Sequence, residues 1–258
     1  MRASEFARRI RQHSVRLAHQ LQAPGIGSAL SIADLLAVLY TPEGGWLRLD
    51  PARPRDPSRD RFLLSKAHAG LALQAALAER GFFPVQELGR RAQPPGLECP
   101  PCGPALALPL AVGKALAAKR SGAYWRTVVL CGDGEWQCGA AWEALLCAAQ
   151  HSLEGLTILI DANGLQGLGP LDEAVRLDPL DAKLRSFGVA VLEVDGHHPA
   201  RLRAALDHAH PNQPLVLIAR TTKGKGVSFM EDSVSWHHRA PNAEQLAQAL
   251  AELEGGDA

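Results

Sequence analysis

The residues best suited to chemistry in this chain stand in two turns, Gly132-Asp133-Gly134-Glu135 and Asp161-Ala162-Asn163-Gly164. A β-branched run, Thr127 to Cys131, leads into the first, and an apolar run, Leu156 to Ile160, leads into the second. Each reads as a buried strand. Between them Trp142, Leu145, Leu146 and Ala149 recur at helical spacing. The expected β-α-β unit sets acidic and amide side chains at the carboxyl ends of two parallel strands, the edge where open α/β sheets bind ligands. The chemistry this suits is a divalent metal holding a diphosphate. Asp133 offers a carboxylate oxygen, Asn163 an amide oxygen and the backbone at Leu165 a carbonyl. Mg2+ favours such ligands, with Ca2+ or Mn2+ as substitutes. Gly132 and Gly134 let the backbone approach phosphates and are expected to leave amide donors free. Taken alone, Gly-Asp-Gly is more often a plain turn.

The elements that must position these turns are legible on either side. A helix over Ser4 to Leu21 carries Phe6, Ile10, Leu17 and Leu21 in an apolar stripe, with Arg8, Arg9, Arg11 and Arg16 expected on the solvated side. A second helix starts near Ser31 as cap, with Asp34 in its first turn. Gly44 to Asp60 reads as a surface loop. Arg61 opens a short strand that runs into Ser65-Lys66-Ala67-His68 and a helix to about Gly81. Another helix, Leu106 to Ala118, precedes the central unit. Beyond it, Asp178-Pro179 should start a helix with Asp as cap. Then come a strand over Val189 to Val194, a helix over Pro199 to His210 and a strand over Leu215 to Ala219. Asn242 to Gln245 forms a capping box for the last helix. Lys223 and Lys225 lie between glycines, but not in the Gly-x4-Gly-Lys-Ser/Thr pattern of a phosphate loop. The alternation implies an α/β fold, a mostly parallel sheet with helices on both faces, in a single domain over 1–258.

Charge and cysteine content exclude other classes. Lys+Arg and Asp+Glu balance at 27 each, which leaves no electrostatic case for nucleic acid or an anionic membrane. The chain opens without an apolar signal core and has no run long enough to span a bilayer, so a cytoplasmic setting is expected. Five cysteines, an odd number, argue against a disulfide framework. Cys131, Cys138 and Cys147 read as packed thiols around the central unit. Cys99-Pro-Pro-Cys102 has redox or half-zinc spacing, without the second ligand pair that zinc requires.

Gly-Asp-Gly-Glu, a helix, then a strand ending in Asp-x-Asn-x-x-Gln resembles the thiamine diphosphate signature of transketolases. The resemblance widens through Ser28-Ala-Leu-Ser-Ile-Ala-Asp-Leu-Leu, Asp60-Arg-Phe-Leu-Leu-Ser-Lys-Ala-His68 and Leu77-Ala-Glu-Arg-Gly-Phe-Phe-Pro. It continues through Lys223-Gly-Lys-Gly-Val-Ser-Phe-Met-Glu and Trp236-His237, and covers about Ala18 to Leu253. It implies the thiamine diphosphate-binding fold, with Asp133, Asn163 and the Leu165 carbonyl on the metal and Gly132, Gly134 and Glu135 beside the diphosphate. His68 and His237 would contact the diphosphate or assist proton transfer at the reacting centre. Glu143 matches a family glutamate that links paired sites across a dimer. Capping of its own helix explains Glu135 equally well.

The implied activity is transfer of a two-carbon ketol unit from a sugar phosphate donor to an acceptor, with thiamine diphosphate and Mg2+ as cofactors. Only the diphosphate-binding half of a transketolase is matched. The expectation is therefore a split enzyme, an α2β2 heterotetramer whose pyrimidine-binding and C-terminal domains lie on a partner chain. Departures cluster on the sugar side. The family's loop histidine is Gly25 here, its Gly-His-Pro is missing from 86–108, and a subunit-contact glutamate is Cys138. Cys102 or Gly103 stands for the first glycine of the family's cofactor loop. The alternatives are a carrier-bound lipoyl acceptor, the α component of a 2-oxo acid dehydrogenase and a non-catalytic scaffold subunit.

Overall fold

The computed structural model describes residues 1–91, 93–100 and 103–255. Its strands are β1 (Arg61–Leu64), β2 (Thr127–Gly132), β3 (Leu156–Ala162), β4 (Leu165–Gln166), β5 (Gly169–Pro170), β6 (Ala190–Asp195) and β7 (Leu215–Arg220). Its α-helices are α1 (Ala3–Leu21), α2 (Ile26–Ser31), α3 (Ala33–Tyr40), α4 (Gly70–Arg80), α5 (Ala107–Ser121), α6 (Gly139–Gln150), α7 (Leu171–Ala174), α8 (Leu180–Arg185), α9 (Pro199–Leu206) and α10 (Ala243–Gly255). Five strands join in the order β1-β2-β3-β7-β6, and every pairing is parallel. β4 and β5 form a separate antiparallel hairpin at the end of β3.

Strand side chains alternate between two apolar layers. Leu64, Leu130, Leu159 and Leu217 point to a core shared with α1 to α4, α9 and α10. Leu63, Val129, Ile158 and Ile218 point to a second core beneath α5, α6 and α8. Burial on both faces explains why these strands read as continuous apolar runs rather than alternating ones. The parallel sheet and its helices on both faces agree with the sequence reading. Among the described residues no helix is long and apolar enough to cross a membrane.

Several local expectations are corrected. Ser31 is the last residue of α2 rather than a cap, and its hydroxyl donates to the Ser28 carbonyl and, at 2.8 Å, to Asp161. Arg11 is buried, not solvated, because Asp34 is buried opposite it and accepts from its guanidinium. α8 begins at Leu180, with Pro179 rather than Asp178 as its N-cap residue. α9 ends at Leu206 instead of running on to His210. The Asn242 box is present, with Gln245 N–H donating to Asn242 Oδ1 at 2.8 Å and Asn242 N–H to Gln245 Oε1 at 3.0 Å. The loop before β1 is tied down by Asp60, which is fully buried and accepts from both the main-chain N–H and the guanidinium of Arg48 and Arg126.

Candidate active site

The carboxyl ends of β1, β2, β3 and β7 open into one cavity of about 350 Å3. Its walls include Lys66 and His68 after β1, Asp133 after β2, Asn163 and Leu165 after β3, and Lys223 after β7. The 3-10 turn Val234–His237 adds His237, and α2 adds Ser28. The two turns read as chemical in the sequence are thus adjacent in space. They lie in register, with Gly132 paired to Asp161 across the sheet.

Asp161 is the buried hub beneath this cavity. Its carboxylate pairs with the Lys66 ammonium and accepts from Ser31, from Thr221 and, at 2.9 Å, from Asn163 Nδ2. Burial alone would raise its pKa, but the Lys66 charge and these bonds bring it below the usual carboxylate range. The bond from Nδ2 settles the amide orientation: Asn163 Oδ1 turns the other way, where it accepts Leu165 N–H at 3.1 Å. Asp133 has the opposite electrostatics. It accepts Gly134 N–H at 2.8 Å and Gly164 N–H at 2.7 Å, with no ammonium or guanidinium in ion-pair distance among the described residues. Burial, and then the Asp161 charge, push its pKa up to about 6. A buried carboxylate short of positive charge, beside an amide oxygen and a carbonyl, is a donor set that fits a hard divalent cation. Among the described residues no three His, Cys, Asp or Glu side chains cluster for a metal, so any such site here takes mixed oxygen ligands.

Positive charge lies across the cavity. Lys223 is 1% exposed, and its Nζ donates to His237 Nδ1 at 3.0 Å, Ser28 Oγ at 3.3 Å and the Leu165 carbonyl at 3.4 Å. None of these partners is an anion. Burial, and then the Lys66 charge, bring its pKa down to about 8. Burial and Lys223 also push His237 down to about 4. An ammonium can only donate, so His237 Nδ1 is the acceptor and the ring proton sits on Nε2. The His68 ring lies 4.7 Å from the His237 ring, centroid to centroid. Desolvation by the walls, and then the Lys66 charge, push its pKa down to about 3. Both imidazoles are neutral at neutral pH.

The other sequence candidates land as follows. Gly132 and Gly134 line the cavity, but their amides are not free: Gly132 N–H donates to Glu135 Oε1 at 2.8 Å and Gly134 N–H to Asp133. A Cβ at either position would make only ordinary contact, at 3.5 Å to the Lys66 stem from Gly132 and at 3.6 Å to Gln166 from Gly134. Glu135 faces inward and also accepts from Ser65 Oγ and, at 2.6 Å, from Ala105 N–H, so it clasps the turn to the neighbouring loops. Glu143 is exposed on α6, away from the cavity. Gly103 lines the cavity, while Cys102 lies outside the described residues. Sequence reasoning gave no role to Lys66, Asp161 or Ser28, and set Lys223 aside. For Lys66, Asp161 and Lys223 the available signal was polarity at or just beyond the end of an apolar strand, a signal that Ser28, on α2, does not carry.

Residues 117–255 match the transketolase thiamine diphosphate-binding domain family. The chain is 37% identical over 263 residues to an apulose-4-phosphate transketolase subunit of Actinobacillus succinogenes, covering 96% of this chain and 94% of that one. It is 34% identical over 244 residues to the 6-deoxy-6-sulfo-D-fructose transketolase subunit SqwG of Clostridium sp., covering 89% and 88%. Among solved structures, transketolase from Leishmania mexicana superposes with a TM-score of 0.86 at 26% identity. That match covers 98% of this chain but 41% of the longer enzyme, so the chain spans about two fifths of its length. With the family's domain matched over more than half its length and near full-length relatives above 30% identity, the chain belongs to the transketolase family, as its N-terminal, thiamine diphosphate-binding component.

Proposed function

We propose that this chain binds thiamine diphosphate through Mg2+ and, with a partner subunit carrying the pyrimidine-binding half, transfers a two-carbon ketol unit between sugars. The observation that carries this reading is the division of charge in one cavity. Asp133, with no ion-pair partner among the described residues, would face the metal, and Lys223, whose hydrogen-bond partners are all neutral, would face the diphosphate. Asp133, Asn163 Oδ1 and the Leu165 carbonyl would hold the metal. Lys223 and the Ser28 hydroxyl would hold the diphosphate. When bound, the cofactor supplies the carbon nucleophile and the electron sink that cleavage beside a ketone requires. This chain's own part is to bind, orient and move protons. His237 presents Nε2–H to the cavity, and His68, also neutral, stands beside it to exchange a proton with a donor hydroxyl.

The names of the relatives guide the assembly and the substrate. Relatives of this length that are each named as one transketolase subunit imply a companion chain. That supports a two-component enzyme, proposed as α2β2, with Glu143 on the exposed side of α6 available to a second copy. Three free thiols, Cys131, Cys138 and Cys147, suit a reducing cytoplasm. Main chain stands where the family places a sugar-binding histidine, since Gly25 packs directly on His68. That favours a ketose outside the usual pentose phosphates, of the phosphate- or sulfo-bearing kind named for the relatives. A lipoyl carrier is the second acceptor class this opening admits.

The test is reconstitution with the candidate partner, with the two half-reactions separated. Donor cleavage is followed with an artificial electron acceptor for apulose-type, sulfo-sugar and pentose phosphate ketoses, and transfer is followed with ribose 5-phosphate and lipoyl acceptors. The expected result is no turnover by the chain alone, cleavage by the pair, and slow transfer to ribose 5-phosphate. Turnover by the chain alone would contradict the assembly. Rapid transfer to ribose 5-phosphate would mark an ordinary transketolase half.

A further inference from the structure

Behind the cavity a chain of side chains reaches the loop of Lys223 through His197. Arg11 on α1 donates to Asp34 Oδ2 at 2.5 Å, and the same oxygen lies 2.7 Å from His197 Nδ1. The other ring nitrogen, Nε2, accepts the main-chain N–H of Thr222 at 2.8 Å. A main-chain N–H only donates, so Nε2 is unprotonated and the ring proton sits on Nδ1, directed at the Asp34 carboxylate. Both nitrogens are therefore occupied, and neither faces the cavity. This histidine is not placed to shuttle protons to a substrate.

It is placed to fix a loop. Thr222 lies between two residues that reach the site. Thr221 donates its hydroxyl to Asp161, and Lys223 projects its ammonium toward Ser28 and His237. The corner before His197 is tight, because a Cβ on Gly196 would overlap the Thr221 side chain. On the far side the loop is held by Gly224 N–H donating to the Gly27 carbonyl at 2.9 Å. The Thr222 bond to His197 is thus the hold nearest to Lys223 on this side, beside the Thr221 hydroxyl on Asp161 and the Thr221 N–H on the Ala162 carbonyl at 3.3 Å, and the Asp34–Arg11 ion pair fixes the ring that makes it.

We propose that His197 is a positioning residue for cofactor binding, which sets Lys223 through the Thr222 N–H. The proposal rests on the reading of Lys223 as a diphosphate ligand, and the test separates the two. In the enzyme reconstituted with its partner subunit, thiamine diphosphate affinity and kcat at saturating cofactor are measured for five proteins: wild type, His197→Asn, His197→Gln, Lys223→Met and the His197→Asn/Lys223→Met double variant. Asparagine keeps a donor for Asp34, but its amide oxygen stops short of the Nε2 position that Thr222 N–H bonds, so it should fold normally and bind the cofactor about tenfold more weakly. Its kcat at saturation should stay within about twofold. Glutamine reaches the Nε2 position with an acceptor oxygen and should recover most of the affinity. The double variant should be no weaker than Lys223→Met alone, because both changes act on one contact. Wild-type affinity in His197→Asn, or full additivity in the double variant, would overturn the role of His197. Unchanged affinity in Lys223→Met would instead overturn the diphosphate reading. If His197→Asn unfolds, failure of His197→Gln, when folded, to bind more tightly than Lys223→Met would also overturn the proposal.

Discussion

A Cβ placed on Gly25 would overlap the carbonyl oxygen of His68. Gly25 holds φ at +89°, and its N–H donates to the His237 carbonyl at 3.0 Å, so its main chain joins the segments of both cavity histidines. No L side chain enters this arrangement without moving one of them. Gly25→His, which restores the residue type found in the family, should therefore fail to restore sugar binding. It should lower stability by about 2 kcal/mol and slow donor cleavage by displacing His68. Thermal unfolding and the separated half-reactions check this. An unshifted Tm together with faster transfer to ribose 5-phosphate would contradict it.

The lysine in the cavity gives a pH dependence of known sign. With its pKa lowered to about 8, Lys223 begins to lose its charge in the cofactor-free protein just above neutrality. An anion bound beside it favours the protonated form, so cofactor affinity is full below pH 8 and falls as pH rises through it. The expected slope approaches about tenfold per pH unit, until the bound-state pKa is passed. Lys223→Arg, charged throughout, should flatten the profile between pH 8 and 9.5. Titrations of thiamine diphosphate at fixed free Mg2+ measure it, and a flat wild-type profile over that range would remove Lys223 from the diphosphate site.

Stability and activity should separate at Asp60. This carboxylate lies at the amino-terminal edge of the sheet, opposite the cavity, and joins the loop before β1 to the residue before β2. Asp60→Ala leaves two guanidinium groups and two main-chain N–H groups without that acceptor, which should cost about 3 kcal/mol. Cofactor affinity per folded molecule should not change. Chemical denaturation and calorimetry on the same preparation test both halves, and a loss of affinity at unchanged stability would contradict the assignment.

What the sequence disclosed follows from range. Asp133 and Asn163 were readable because each ends a buried strand, and local pattern fixes both the strand and its end. The last helix's cap was readable for the same reason, since Asn242 and Gln245 are three residues apart. Asp161, Lys66 and His197 were not, because their meaning lies in partners far along the chain: Lys66 for Asp161, Asp34 and Thr222 for His197. Arg11 was misplaced in solvent by helical periodicity, which counts an arginine as polar and does not know that Asp34 is buried across from it. The glycine amides were expected to be free because nothing local showed that Glu135 turns back to Gly132.

Asp133 carries the metal assignment. Its buried carboxylate has no cationic partner among the described residues, and metal binding would supply the missing charge. The decisive measurement is calorimetric titration of thiamine diphosphate into the reconstituted complex, with and without Mg2+, for the wild type and Asp133→Ala. The predicted result is Mg2+-dependent binding in the wild type and at least ~100-fold weaker binding in the variant, with its fold retained by circular dichroism. Equal, Mg2+-dependent affinity in the two proteins would contradict it.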